Sequence, residues 1–168
     1  MITRRGFAGL TASAALFGCA DNSKISMGRV YSGPEVTHVE VRKSSRELLL
    51  WSDGNVLREY EIDLGFAPQG AKRFEGDGKT PEGQYFIDRR NPESKFFLSL
   101  GISYPNARDR SEARLAGKEP GGDIFIHGAS ARRRSKKDWT AGCIAMRDSE
   151  IREVYWMVPL WTPITLRA

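Results

Sequence analysis

The stretch "VTHVEVRKSSRELLLWSDGNVLREYEIDLG", residues 36–65, decides the fold class. Val39 and Val41 alternate with polar residues, the period of a half-buried strand. Leu48 to Trp51 form a short apolar run. "SDGN" then places Asp-Gly between two apolar runs, the composition of a tight hairpin turn. Val56, Arg58, Tyr60 and Ile62 carry the pattern to Leu64. The expectation is strand, turn, strand, turn, strand, and hence a β-rich domain.

Downstream, "APQGAKRFEGDGKTPEGQYFI" is broken by glycine and proline until the strand "QYFID". Those breaks predict a long shaped loop rather than a helix. "SKFFLSLGISYPN" reads as another strand region. "SEARLAG", from Ser111, reads as a short helix, and "GGDIFIHG" as a glycine-bounded strand ending at His127. "DSEIREVYWMV" has Ile151, Val154, Tyr155 and Val158 at helical spacing, with Asp148 or Ser149 as the expected cap. "PLWTPITLRA" closes the chain with a turn and a strand. Strands dominate and no repeat is visible. The fold class expected is mostly β, a sandwich or barrel with one or two short helices.

The chain has 168 residues, 40% hydrophobic and 28% charged, with 17 glycines and 8 prolines. That is one soluble domain large enough to bury a core. The formal net charge of +5 fits nucleic acid, a membrane surface or an anionic polymer as partner. The densest basic cluster, "ARRRSKK" at 131–137, reads as a solvated loop, or as a flap meeting anionic polymer through Arg132, Arg133 and Arg134.

Residues 1–19 are read as an export signal. Arg4 and Arg5 precede a stretch of small and apolar residues too short to span a bilayer. The Arg pair resembles a twin-arginine signal. "LFGC" resembles a lipobox, which makes Cys19 the expected lipidation site and the membrane a partner through that lipid. Residues 20–35 are polar and read as a flexible tether; residues 36–168 form the domain. The expected location is therefore outside the cytoplasm, in the periplasm or cell envelope, which sets nucleic acid aside.

The chain has two cysteines and two histidines. With Cys19 lipidated or removed, Cys143 stands alone in an exported protein, where cysteines ordinarily pair. It follows Gly142 in "DWTAGCIAM", 16 residues after His127. A thiol nucleophile needs a base, and histidine is the usual one. The open alternatives are a core thiol beside Ile144 and Met146, and a histidine that merely caps a turn. His38 has no evident partner. One Cys and one His do not make a metal site, and no dinucleotide or phosphate loop is present. No cofactor is expected.

"IHG", a polar spacer, then "WTAGCIAM" and "EIREVYWMVPLWTPITL" resemble the catalytic domain of bacterial L,D-transpeptidases. The family pattern is His-Gly, a spacer, Ser/Thr-x-Gly-Cys, a helix and a closing strand. Upstream, "GDGKTPEGQYFI" resembles the family's Thr-Pro-x-Gly segment. The likeness runs from about residue 37 to the C-terminus. It implies a β-sandwich with a Cys-His site in a groove and peptidoglycan stem peptides as partners. Cys143 would be the nucleophile and His127 the proton acceptor and donor, oriented by the Gly128 carbonyl. The N–H groups of Gly142 and Cys143 would serve the oxyanion. Thr140 would position the site, Tyr104 would wall the groove, and Arg73 and Lys72 would meet a substrate carboxylate.

The pattern also departs from the family. Ala141 and Ala145 stand where many relatives carry histidine and arginine, and Arg147 is out of register. The "WTxGCIA" form resembles a branch with members that cleave a lipoprotein–peptidoglycan link. The expected reaction is therefore transfer from a tetrapeptide stem through a Cys143 thioester. The alternatives are hydrolysis on the same scaffold, with an envelope lipoprotein as a further partner, and a non-catalytic wall-binding lipoprotein.

Overall fold

The computed structural model describes residues 31–130 and 135–168. Cys19, the export signal and most of the tether lie outside these residues, as do Arg132, Arg133 and Arg134 of the basic loop. Among the described residues, β1 (His38–Arg42), β2 (Glu47–Ser52) and β3 (Asn55–Glu61) follow in sequence. β4 (Gly83–Ser94), β5 (Phe97–Ile102), α1 (Ala107–Leu115) and β6 (Phe125–Ala129) come next. β7 (Ile144–Arg147), α2 (Asp148–Met157) and β8 (Pro163–Arg167) complete the domain. The strand order is β3-β2-β1-β8-β4-β5-β6-β7.

The opening stretch folds as the sequence predicts. β1 and β2 pair antiparallel, as do β2 and β3. Asp53 and Gly54 both take positive φ, 46° and 84°, the backbone of a two-residue turn whose twist suits the strands it joins. Val39, Val41, Leu48 and Leu50 are fully buried. Glu40, expected to face water, is buried because Trp51 Nε1, Arg42 and Arg167 all bond its carboxylate.

Four boundaries differ from the sequence reading. β4 runs well past "QYFID" through Asn91 and Pro92; register shifts on both sides of Arg89–Asn91 accommodate them, as bulges tolerate proline. α1 begins at Ala107 rather than Ser111, because Asn106 caps it and Asp109 bonds back to the Asn106 amide. α2 is entered from Arg147, whose amide is bonded by Glu150 at 3.0 Å, not from Asp148 or Ser149. β6 does not end at His127 but continues to Ala129. It pairs parallel with β7, a strand of four residues too short for periodicity to reveal.

Two features place the site. Asp63 and Ala145 exchange backbone hydrogen bonds at 2.8 and 2.9 Å, so the chain leaving β3 meets β7 and closes the sheet on itself. α2 covers β5, β6 and β7 from inside, burying Ile151, Val154 and Tyr155 against Ile126, Ile144 and Met146. The opposite face of the β6–β7 ladder is left for chemistry.

Candidate active site

Register brings the cysteine and histidine together. In β6 and β7, Ile126 pairs with Ile144 and His127 with Ala145. Residues directly across a ladder share a face, and successive residues alternate. Ile126, Ile144 and Met146 point into the core, so Phe125, His127, Cys143 and Ala145 share the other face. His127 and Cys143 are diagonal neighbours there, with Cα atoms about 8 Å apart, a gap that two side chains span.

The histidine is fixed on three sides. Nδ1 lies 2.8 Å from the Gly128 carbonyl oxygen. A carbonyl only accepts, so Nδ1 carries the proton and Nε2 is left as a base. Phe96 stacks on the imidazole at 4.4 Å, and Trp139 meets it edge-on at 5.8 Å. A side chain at position 128 would strike Asp148 and the Phe96 carbonyl, at 2.5 and 2.7 Å, so glycine there keeps the orienting carbonyl in place.

The cysteine sits at the end of a clamped turn. Thr140 Oγ1 donates to the Cys143 carbonyl at 2.7 Å and accepts from the Gly142 amide at 3.1 Å. Gly142 has φ +130°, and a Cβ there would lie 2.7 Å from the Lys79 carbonyl. Glycine at 142 is thus required by the backbone of the neighbouring loop. Its N–H donates to Thr140 Oγ1, so an oxyanion would compete with that hydroxyl for it, whereas the expectation for the Cys143 N–H carries no such competitor from Thr140. Cys143 Sγ donates to the Asp123 carbonyl at 3.4 Å. Burial pushes the thiol up and Asp123 adds to this, while the Phe125 N–H and the Lys72 charge draw it down without cancelling the rise. The resting thiol is protonated and needs a base at the moment of attack.

The other expected residues lie elsewhere. Tyr104 is a core residue: it is buried, packs edge-on to Tyr85 and donates to the Pro120 carbonyl, so it walls no groove. Lys72 is buried and bonds the Phe74 carbonyl and Asp77, both at 3.0 Å. It acts on the thiol through space but offers no free ammonium to substrate. Arg73 is exposed, with its amide held by Asp77. The sequence reading missed Asp138, which starts the nucleophile turn and makes a two-point pair with Arg46 at 2.9 and 2.8 Å. It also missed Lys43, buried and bonded to Gly70 O, Thr80 O and Glu82. Nothing local in the sequence marks partners tens of residues away. Among the described residues no group of His, Cys, Asp and Glu is placed to hold a metal. No helix among them is long and apolar enough to cross a membrane.

The β domain thus sets a His-Gly strand beside the turn that presents Gly142 and Cys143. The family described as YkuD, the L,D-transpeptidase catalytic domain, matches residues 36–166, and the chain belongs to it. It is 29% identical over 127 residues to the Escherichia coli K12 protein named "Putative L,D-transpeptidase YafK", covering 72% of this chain and 46% of that one. Among solved structures it resembles the helical cell shape determining protein Pgp2 of Campylobacter jejuni (TM-score 0.63, 26% identity, 82% of this chain and 49% of that one). It also resembles Bd1075 of Bdellovibrio bacteriovorus (TM-score 0.59, 27% identity, 79% and 48%). The chain spans about half the length of these relatives.

Proposed function

We propose that this protein is a cysteine-dependent L,D-transpeptidase of the cell envelope that acts on peptidoglycan tetrapeptide stems. The observation that carries the reading is the Nδ1 contact to the Gly128 carbonyl, which makes Nε2 the basic nitrogen of a histidine on the face that also bears Cys143. Nε2 takes the thiol proton as sulfur attacks the carbonyl of the L-centre of the third residue. The C–S bond forms, the C–N bond breaks, and the imidazolium returns its proton to the departing D-alanine amine. A thioester remains. An amine from a second stem attacks it, loses a proton to His127 and releases the thiol, leaving a new amide. The Cys143 N–H is the candidate donor to the oxyanion. Family membership supports the wall as substrate, and likeness to Pgp2 extends the proposal to cell shape.

A second reading, hydrolysis on the same scaffold, is favoured by Ala141 in the turn and Ala145 in β7, which leave the surroundings of Cys143 without the side chains of many relatives. Water then resolves the thioester, or the scissile bond is a lipoprotein link. Export and a lipid on Cys19 belong to the same proposal. Incubation of the protein with tetrapeptide stems, read by mass spectrometry beside Cys143→Ala, decides between the readings. D-Alanine loss with dimer formation indicates transpeptidation, and tripeptide alone indicates hydrolysis. Inertness toward both stems and lipoprotein-linked sacculi overturns the proposal.

A further inference from the structure

A guanidinium is seated over Phe125, the β6 residue in register with Cys143, in a slot made by a glycine. Arg89 in β4 pairs with Gly101 in β5, and Gly101 pairs with Phe125 in β6. One step before the pair Ile126–Ile144, the β6–β7 register carries this row on to Cys143. Arg89, Gly101, Phe125 and Cys143 therefore form one row on one face. A Cβ at Gly101 would fall 2.6 Å from Arg89 Nε. Because it is absent, the side chain crosses β5 and its guanidinium carbon lies 4.9 Å from the centre of the Phe125 ring.

The cation is held in place without being used up. Its nearest carboxylates are Asp88 at 3.3 Å and Asp123 at 3.7 Å. The Asp123 side chain is 86% exposed and that of Arg89 47% exposed, so their attraction is screened and readily exchanged. Asp123 is also the residue whose carbonyl accepts from Cys143 Sγ. Asp123 thus touches both groups, Arg89 through its carboxylate and the thiol through its carbonyl.

We propose that Arg89 binds the free C-terminal carboxylate of the donor peptide, so that the site measures a leaving group one residue long. This rests on Cys143 being the acylating nucleophile. Phe125 is one strand spacing, about 5 Å, from Cys143, which puts a guanidinium over its ring beyond the scissile carbonyl by about the length of one residue. A planar fork matches a carboxylate at two points. A peptide extended by one further residue carries its carboxylate past this seat, and an amidated end offers no charge.

The test is calorimetry on the full chain carrying Cys143→Ala, which needs no turnover. Its ligands are the tetrapeptide stem and the same stem ending in a carboxamide. The carboxylate form is expected to bind about tenfold tighter, as charge-assisted recognition gives. Adding Arg89→Gln should abolish that preference while leaving carboxamide binding unchanged. Gly101→Ala should do the same by displacing the flexible side chain, and thermal melting confirms that both variants fold. A preference that survives in Arg89→Gln overturns the proposal, as does no preference, or no binding of either ligand, in the Cys143→Ala protein. Failure of the enzymatic reading is seen separately, as absence of a thioester on the wild-type protein by intact mass.

Discussion

Thr140 shows how a side chain can brace the candidate nucleophile through its backbone. Its hydroxyl bonds both ends of the turn that presents Cys143. Thr140→Val keeps the shape and removes both bonds, leaving a buried amide and carbonyl unsatisfied at about 1–3 kcal/mol each. The melting temperature should fall and thioester formation should slow, whereas Thr140→Ser should restore both. Equal behaviour of the two variants in melting and acylation assays would show that the hydroxyl does not hold the turn. The thiol carries its own prediction. Burial raises Cys143, so its thiolate fraction at neutral pH is below that of a free cysteine. Alkylation by iodoacetamide should climb with pH through and beyond the ordinary thiol range. A plateau near pH 6 would instead reveal a resident thiolate–imidazolium pair. Cys143, His127 and Gly128 could be singled out in sequence because the proposed thiol chemistry calls for those residue types, and the β6–β7 register sets them on neighbouring strands. The need for glycine at 142 was not, because it comes from the Lys79 carbonyl, 63 positions away in the chain.

At the scale of elements, the turn that presents Cys143 is anchored by an ion pair across the fold. Asp138 takes positive φ, bonds Arg46 at two points and accepts from the Leu64 amide at 3.0 Å. Burial alone would raise its carboxyl, but Arg46 and the Leu64 N–H outweigh that and hold it below the ordinary carboxylate range. A carboxyl depressed on folding adds stability above its unfolded pKa, and that stability is lost as pH falls through the folded value. Asp138→Asn should therefore be less stable than the wild type at pH 7, by about 1–3 kcal/mol for a weakened charge-assisted bond. The gap in melting temperature should close as the pH is lowered below about 4, where carboxylates protonate. A gap that stays constant with pH would assign the effect to packing. The strands of the first hairpin pair were legible because alternation and Asp-Gly are local signals. β7 and the second half of β4 were not, since one is four residues long and the other carries Pro92 through a bulge that only its neighbours justify.

For the molecule as a whole, the last strand in sequence is a middle strand in space. β8 lies between β1 and β4, parallel to one and antiparallel to the other. The sequence predicts a closing strand there but gives no sign of its place, because pairing between chain ends leaves no local trace. Ile164 and Leu166 are 0% and 2% exposed, and each replaced by alanine should cost about 2–5 kcal/mol. Against a total of about 5–15 kcal/mol, either change takes a large share, and both together should leave no stable fold. Removing residues 163–168 is more severe still, since it unpairs β1 and β4 along their facing edges and opens the closed sheet that holds Asp63 against Ala145. The truncated chain should lose its near-ultraviolet circular dichroism and its cooperative melt. An edge strand would instead be shed with partial loss, so a truncated protein that still melts cooperatively and alkylates at Cys143 like the wild type would refute this placement of β8.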